Sequence, residues 1–216
     1  EEAARLLYRQ WFVHFRFPGH EHVAIRDGVP EGWERRPFSE LAGFLNGFAF
    51  KPAHLGNVGL PVVKIPELRN GPTAKTPRNT GELIPEKYLV EDGDILFSWS
   101  GTLLVNIWHH GEGLLNQHLF KVTPVSEHLR EFVYFALQRA LVEFRNQTTG
   151  ATMKHIRKGA LEKVSALVPD PVLLNEFASR ASPMLRQIGL LQTQVTLAAR
   201  ARDLLLPRLM NGEIVV

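Results

Sequence analysis

The chain has 216 residues, enough for one sizeable domain and an appendage. Apolar residues make up 44% and charged residues 22%, which supports a hydrophobic core and excludes wholesale disorder. The absence of cysteine excludes disulfide scaffolds and thiolate zinc sites and fits the cytoplasm, whereas a net charge of +3 is weak evidence for a nucleic-acid partner.

The N-terminal segment predicts one helix followed by irregular chain. Leu7, Trp11 and Phe15 recur at four-residue steps, which places them on one face of a helix over residues 1–15. Residues 20–36 contain repeated turn formers and predict a loop.

The central region mixes short helices with strands, which predicts an α+β fold. The predicted strands cover residues 60–65, 94–99, 103–108 and 118–123. A short helix is predicted for residues 39–45 and a long exposed loop for residues 66–82. Ser126 is a suitable N-cap for a helix that reaches residue 146. A further short helix and a last strand are predicted for residues 156–161 and 164–168.

A long helix is predicted after Pro171. Its apolar residues follow alternating four- and three-residue steps: Leu174, Phe177, Ala181, Met184, Ile188, Leu191, Val195, Ala198 and Leu205. Such a seam is typical of coiled coils and requires a partner helix. Pro183 predicts either a new helix capped by Ser182 or a kink, and Pro207 and Gly212 predict the end.

No catalytic motif is present. The chain lacks a Walker loop and a G-x-G-x-x-G motif, and Ser100 lacks the preceding glycine of a nucleophile elbow. His20 and His22 lie in a predicted loop, where histidines are more typical of polar surface than of a metal site. The sequence therefore predicts no catalytic residue, no metal ion and no cofactor. The uncharged run at residues 95–111 holds several polar side chains and is a poor membrane span.

Positive charge is concentrated in two blocks. Residues 51–78 hold five basic residues and one acid, and residues 139–163 hold six basic residues and two acids. The intervening residues 79–131 hold three basic and eight acidic residues. This pattern is typical of a cationic face, and equally of chance clustering on a solvated surface.

The residues predicted to contact DNA come from strand ends and polar loops. They are Lys51, Lys75, Arg78, Ser100, Thr149, Thr152, Lys154, His155 and Arg157. Lysine and arginine bind phosphate or read guanine, and small polar residues allow close approach. Asn116, Gln117 and His118 directly precede a strand, which favours internal hydrogen bonds for them.

Several segments resemble one protein family. Residues 93–102 (GDILFSWSGT) and 111–122 (GEGLLNQHLFKV) resemble the target-recognition domain of type I restriction–modification specificity subunits. Residues 149–171 resemble the closing segment of that domain, and residues 202–214 resemble the family's conserved C-terminal helix. Residues 3–19 are similar to the end of its central conserved helix.

The resemblance implies three parts: the end of the central helix at residues 1–17, a DNA target-recognition domain at 18–170, and a C-terminal spacer helix at 171–216. A specificity subunit of this family is non-catalytic, reads double-stranded DNA with two recognition domains, and recruits methyltransferase (modification) and restriction subunits. With one such domain, the chain resembles a half-subunit, either truncated or naturally split.

Two copies are expected to restore a two-domain subunit that reads a palindromic split site. The residues predicted at this dimer interface are Leu174, Phe177, Met184, Ile188, Leu191, Val195 and Leu205. The alternatives are a stand-alone dimeric DNA-binding regulator, a nuclease or methyltransferase fragment, and a scaffold without a DNA role. Co-purification with a modification subunit distinguishes a specificity subunit from a stand-alone regulator. Metal-dependent cleavage or methyl-donor binding by the isolated chain would identify a nuclease or methyltransferase fragment.

Overall fold

The computed structural model describes residues 1–146 and 158–213. It has the α+β fold predicted from the sequence, with a short N-terminal helix and a long C-terminal helix. Among the described residues, no helix combines the length and the apolar character needed to cross a membrane.

The described chain combines α-helices with short strands, which include six consecutive strands in its central part. The α-helices are α1 (Glu2–Phe12), α2 (Phe38–Leu41), α3 (Ile65–Asn70), α4 (Arg130–Asn146), α5 (Lys158–Lys163) and α6 (Pro171–Met210). The strands are β1 (Ile25–Arg26), β2 (Val29–Pro30), β3 (Glu34–Pro37), β4 (Ala42–Asn46), β5 (Leu60–Val63), β6 (Arg78–Asn79), β7 (Leu89–Val90), β8 (Ile95–Ser98), β9 (Leu104–Ile107), β10 (Gly113–Leu115), β11 (Leu119–Pro124) and β12 (Ser165–Val168). The four predicted central strands are confirmed as β5, β8, β9 and β11.

The first sheet has the antiparallel order β4-β11-β8-β9 and lies between two hydrophobic cores. Alternate residues of β8 point to opposite faces, as in any strand. Ile95 and Phe97 therefore join the main core, and Leu96 joins a smaller second core with Trp108. All four residues of β8 are buried for this reason.

The second sheet has the order β6-β5-β10-β7 and covers the smaller core. Its central strands β5 and β10 are parallel, with Leu114 beside Val62. Its edge strand β6 pairs antiparallel with β5. This second sheet carries the first basic block of the sequence.

Three helices cover the main core through an aromatic cluster. Phe177 of α6 lies 4.9 Å from Phe12 and 5.9 Å from Trp11 between ring centroids. Phe12 lies in turn 5.0 Å from Phe132 of α4 in an edge-to-face arrangement. Aromatic pairs at these separations add to the hydrophobic free energy of their burial. The first half of α6 is therefore part of the domain's own core.

The long helix runs without interruption through Pro183, so the alternative of a new helix starting there is wrong. Pro183 is exposed, whereas Ala181 and Leu185 are buried against the domain. Proline removes the hydrogen bond to the carbonyl of Ser179, which is exposed and can bond water instead. Tertiary packing on the buried face holds the helix together. The helix also passes Pro207 and ends at Met210, where Asn211 is its C-cap and Gly212 follows with a positive φ.

Three other local predictions need correction. The helix expected over residues 39–45 is one turn, α2, followed by strand β4, because β4 pairs with β11. The loops expected at residues 20–36 and 66–82 contain the strands β3 and β6 and the helix α3. Strand β3 pairs with β12, which lies far along the chain. Pairing partners of this kind leave no trace in local periodicity.

Candidate nucleic-acid interface

Polar side chains collect at one end of the first sheet. Asn46 ends β4, Ser98 ends β8, and Leu119 begins β11, and the strand register places all three at the same edge. The segments just beyond these strand ends, including Ser100 and His118, therefore lie together. We call this set of strand ends the polar edge.

The polar edge is held together by side-chain hydrogen bonds. The indole nitrogen of Trp99 donates to Asn46 Oδ1 and to the carbonyl of Gln117, both at 3.0 Å. Ser100 Oγ and His118 Nδ1 lie 2.8 Å apart. Because Ser100 is only 5% exposed, its side chain is not available to DNA at the surface. The burial of Ser100 therefore contradicts its predicted direct contact with DNA.

Asn116 is an internal residue, as its position before β11 predicted. It is 2% exposed, and its Nδ2 donates to Gln117 Oε1 at 2.6 Å. Its Oδ1 accepts from the backbone of His118 at 3.3 Å, and its own backbone N–H bonds Val63 at 3.1 Å. These bonds join the polar edge to the second sheet.

The first basic block forms a surface of two connected loops. We call residues 51–59 and 75–79 the basic loop surface. The backbones of Gly56 and Arg78 exchange two hydrogen bonds at 2.8 and 2.9 Å. Asn79 Nδ2 donates to the carbonyl of His54 at 2.7 Å. Gly59 has a φ of +97° and lies so close to Asn79 that a Cβ would stand 2.2 Å from its carbonyl oxygen. This close approach requires glycine.

Two of the three predicted cations on this surface are exposed and form no salt bridge with a described residue. Lys51 and Lys75 are exposed, whereas Arg78 is half-buried and donates from Nη1 to the carbonyl of Gly59 at 2.7 Å. Arg78 therefore also supports the loop.

Cations of the first basic block lack carboxylate partners. Among the described residues, none of its five basic side chains forms a salt bridge: Lys51, Lys64, Arg69, Lys75 and Arg78. Its one acid, Glu67, is buried and accepts from Thr76 Oγ1 and the Lys64 backbone N–H, both at 3.1 Å. By contrast, Lys121 of the first sheet pairs with Asp94 at 2.7 Å. Positive charge on the basic loop surface is therefore uncompensated by these neighbours.

Aromatic side chains adjoin the basic loop surface, where the rings of Phe48 and His54 lie 5.9 Å apart between centroids. Phe48 lies 5.0 Å from Phe50 and 5.6 Å from Tyr88 between ring centroids, and all three rings are half-buried. Lys87 Nζ stands 5.1 Å from the centre of the Tyr88 ring. Half-exposed rings beside cations suit contacts with sugars and bases as well as phosphates. These aromatic residues were not predicted from the sequence, because their spacing follows no helix or strand period.

The second group of predicted DNA contacts lies outside the described residues. It comprises Thr149, Thr152, Lys154, His155 and Arg157. The last described residues before this group belong to α4, where the ring of Phe144 lies 5.4 Å from that of Phe97 of β8 between centroids.

The predicted dimer seam divides into two parts. Leu174 and Phe177 are 2% and 0% exposed and pack within the chain's own core, so their assignment to a partner interface is corrected. Ile188 is half-buried against the same core. Met184, Leu191, Val195 and Leu205 are exposed. We call residues 190–210 the free segment of α6, because most of its large apolar side chains are exposed.

Burial shifts the pKa of several described groups that lie outside the polar edge. It lowers the pKa of His109 and of His110, which follow the end of β9, and Asp92 opposes both shifts. Burial also raises the pKa of the Tyr8 and Tyr134 hydroxyls. Within residues 1–146 and 158–213, no cluster of three His, Asp or Glu side chains is arranged to hold a metal ion.

Solved structures share this fold. The specificity (S) subunit of a type I restriction–modification system from M. genitalium superposes with a TM-score of 0.59 at 14% identity, over 87% of this chain and 47% of that one. The HsdS subunit from Thermoanaerobacter tengcongensis superposes with a TM-score of 0.53 at 15% identity, over 98% of this chain and 51% of that one. At such identities the likeness establishes the fold alone.

The sequence establishes the family. Residues 30–172 match the profile of the type I restriction modification DNA specificity domain, so the chain belongs to that family. The specificity subunit of the restriction enzyme MjaIX from Methanocaldococcus jannaschii is 26% identical over 99% of this chain and 52% of its own length. The EcoBI specificity subunit from Escherichia coli is 28% identical over 74% of this chain and 34% of its length. The chain thus spans about half the length, or less, of these relatives.

Proposed function

We propose that this chain is the DNA-recognition part of a type I restriction–modification specificity subunit and reads one half of a bipartite site. The observation that carries the proposal is the basic loop surface, whose cations have no carboxylate partner among the described residues. Unpaired lysines at a surface gain free energy by replacing the counterions of DNA phosphates. Because the chain belongs to a DNA specificity family, we assign DNA binding to this surface.

In this proposal the basic loop surface positions the duplex, and the segment around Lys154 supplies base contacts. Lys51 and Lys75 bind phosphates, while Arg78 both supports its loop and faces the DNA. The half-exposed rings of Phe48 and Tyr88 border the same surface. Thr149, Thr152, His155 and Arg157 are proposed to complete the reading surface together with Lys154.

We further propose that residues 18–170 form the recognition domain, with residues 1–17 and 171–216 as two segments of a spacer. Two copies then associate through the free segment of α6, because Leu191, Val195 and Leu205 are exposed on it. The resulting pair holds two recognition domains and docks methyltransferase subunits, which supply the chemistry. The chain itself acts as a non-catalytic subunit.

The test begins with the target. Methylation mapping in cells that carry the intact system identifies the modified motif, which we expect to be bipartite. Co-purification of the chain with a modification subunit is expected as well. Absence of that subunit, together with unmodified DNA, would instead favour a stand-alone DNA-binding regulator.

The second step tests the surface. Lys51→Ala with Lys75→Ala is expected to weaken binding to a duplex of the mapped motif and to lower the magnitude of the salt slope by about two, near one per lost phosphate contact. Fluorescence anisotropy across a salt series measures both. Arg26→Ala is the matched control, because Arg26 is exposed but already lies 3.3 Å from Glu31. An unchanged slope in the double variant would remove the basic loop surface from the interface.

A further inference from the structure

The long helix α6 leaves the domain at one residue. Leu185 is 5% exposed and Gly189 is buried, whereas Leu190 and Leu191 are 61% and 49% exposed. Gly189 is the last buried residue of α6 in the part of the chain that the structure describes. The direction of the free segment therefore depends on what touches the helix at this point.

His109 touches the helix there. A Cβ added at Gly189 would stand 2.7 Å from Nδ1 and 2.8 Å from Cε1 of the His109 ring, closer than real Cβ atoms approach other atoms. Glycine inside a helix is less favourable than alanine, so its presence calls for a packing reason. The His109 ring is that reason, because it occupies the space where a side chain would be.

A second contact lies seven residues earlier on the same face of α6. Ser182 Oγ donates to a carboxylate oxygen of Glu131, which is only 3% exposed. Arg130 Nη1 lies 3.4 Å from the same oxygen, and the Arg130 side chain also donates to the carbonyl of Gly93. A small cavity of about 240 Å³ separates the two contacts and is bordered by Arg186. The helix is thus fixed at two points near its exit.

We propose that His109 and Gly189 form a pivot that sets the direction of the free segment. Resting on the proposed function, we also infer that this pivot sets the spacing between two half-sites. The free segment and its pivot span residues 189–210, about 33 Å of helix. A tilt of about 10° at Gly189 therefore moves its far end by about 6 Å, close to two base-pair steps of about 3.4 Å.

The absence of cysteine in the natural chain permits a direct distance measurement. Spin labels are placed at Glu112→Cys in the domain and Arg208→Cys near the end of the helix, and labelled chain is diluted with unlabelled chain. Gly189→Ala is expected to shift the label–label distance by several ångströms, measured by pulsed electron resonance. The double variant Gly189→Ala with His109→Ala is expected to restore the original distance, because the clash is removed.

The control is Gly159→Ala in α5, where no heavy atom lies within 4 Å of the added Cβ. It is expected to leave the distance unchanged. If Gly189→Ala lowers the folded fraction, His109→Ala alone is used for the test, because it removes a ring without adding atoms. This variant is expected to broaden the distance distribution. Unchanged distributions in both variants would overturn the pivot.

A second measurement separates the pivot from the proposed function. With a modification subunit present, Gly189→Ala is expected to change the preferred spacer length of the methylated motif and to leave its half-site bases unchanged. A wild-type chain that directs no methylation would sink the proposed function and leave the distance result standing. A shifted distance with an unchanged spacer would refute the link between pivot and spacing.

Discussion

At the scale of single residues, polar side chains fall into two groups. Ser100 is hydrogen-bonded to His118 at the polar edge, and the side chain of Asn116 forms hydrogen bonds with its neighbours Gln117 and His118. Lys51 and Lys75 are exposed and make no salt bridge with a described residue. Burial thus distinguishes residues that hold the surface from residues that are free to contact a ligand.

Removing the Ser100 hydroxyl is expected to lower the free energy of unfolding. Ser100→Ala loses the 2.8 Å contact with His118 in a buried position, which costs about 1 kcal/mol. Urea denaturation followed by tryptophan fluorescence measures the change. Thr102→Ala is the control, because Thr102 is exposed and its side chain makes no hydrogen bond with a described residue. Equal losses in both variants would contradict the role given to Ser100.

Stability is also expected to fall in mild acid. Burial lowers the pKa of His109 and His110 below their ordinary value of 6.5, and the negative charge of Asp92 opposes this shift. The positive charge of Arg130 lowers the pKa of His109 further. Glu131 and Arg186 border the adjacent cavity. The folded state therefore binds fewer protons than the unfolded state. The contribution of these two histidines to the free energy of unfolding is present above about pH 6.5 and is lost as the pH falls below it.

Urea denaturation at pH 7.5 and pH 5.5 measures this loss, the two values lying about one unit above and below the ordinary pKa of histidine. The double variant His109→Gln with His110→Gln is expected to have a smaller loss between the two values. A loss equal to that of the natural chain would assign the acid sensitivity to other groups.

At the scale of elements, α6 is one helix with two environments. Asp170 caps its start, with Oδ1 accepting from the backbone of Val172 at 2.8 Å and Leu173 at 3.1 Å. Its first half is buried by α1 and α4, and its free segment carries exposed leucines. The continuous heptad pattern therefore combines an intramolecular packing surface with a surface offered to a partner.

Alanine substitutions on α6 are expected to separate these two surfaces. Phe177→Ala removes a fully buried ring from the aromatic cluster and is expected to lower the free energy of unfolding by about 3–5 kcal/mol. Leu191→Ala, at 49% exposure, is expected to change the stability of the dilute monomer by less than about 0.5 kcal/mol. Thermal unfolding at low protein concentration measures both. Comparable losses would mean that Leu191 is also packed against its own chain.

At the scale of the whole molecule, the basic loop surface and the free segment of α6 are formed by different parts of the chain. The five basic residues of the first basic block form no salt bridge with a described residue, and the exposed leucines of α6 lie mainly on its free segment. The proposed function assigns DNA binding to the first surface and self-association to the second. We therefore expect self-association and DNA binding to be affected by different substitutions.

Self-association is expected at micromolar concentration in sedimentation velocity. Val195→Asp places a charge on the free segment at a seam position and is expected to yield monomers. Thr193→Asp is the matched control, because Thr193 is exposed on the same segment but lies off the seam. A monomeric natural chain, or equal effects of the two aspartates, would contradict pairing through this seam.

The sequence by itself determined the features that depend on local pattern. Short strand-like runs predicted β8, β9 and β11, an apolar stripe predicted α4, and the heptad repeat predicted α6, because each of these patterns lies within one continuous stretch of chain. The clustering of lysines and arginines predicted a cationic region in the same way.

Only the tertiary structure decided how those features are used. It paired β3 with β12, carried α6 through Pro183, and buried Phe177 while leaving Val195 exposed. Each outcome depends on contacts between residues far apart in the chain, whose free energies exceed local propensities. A hydrophobic period predicts that one face of a helix is buried. Only the fold determines whether that face is buried by the same chain or by a partner.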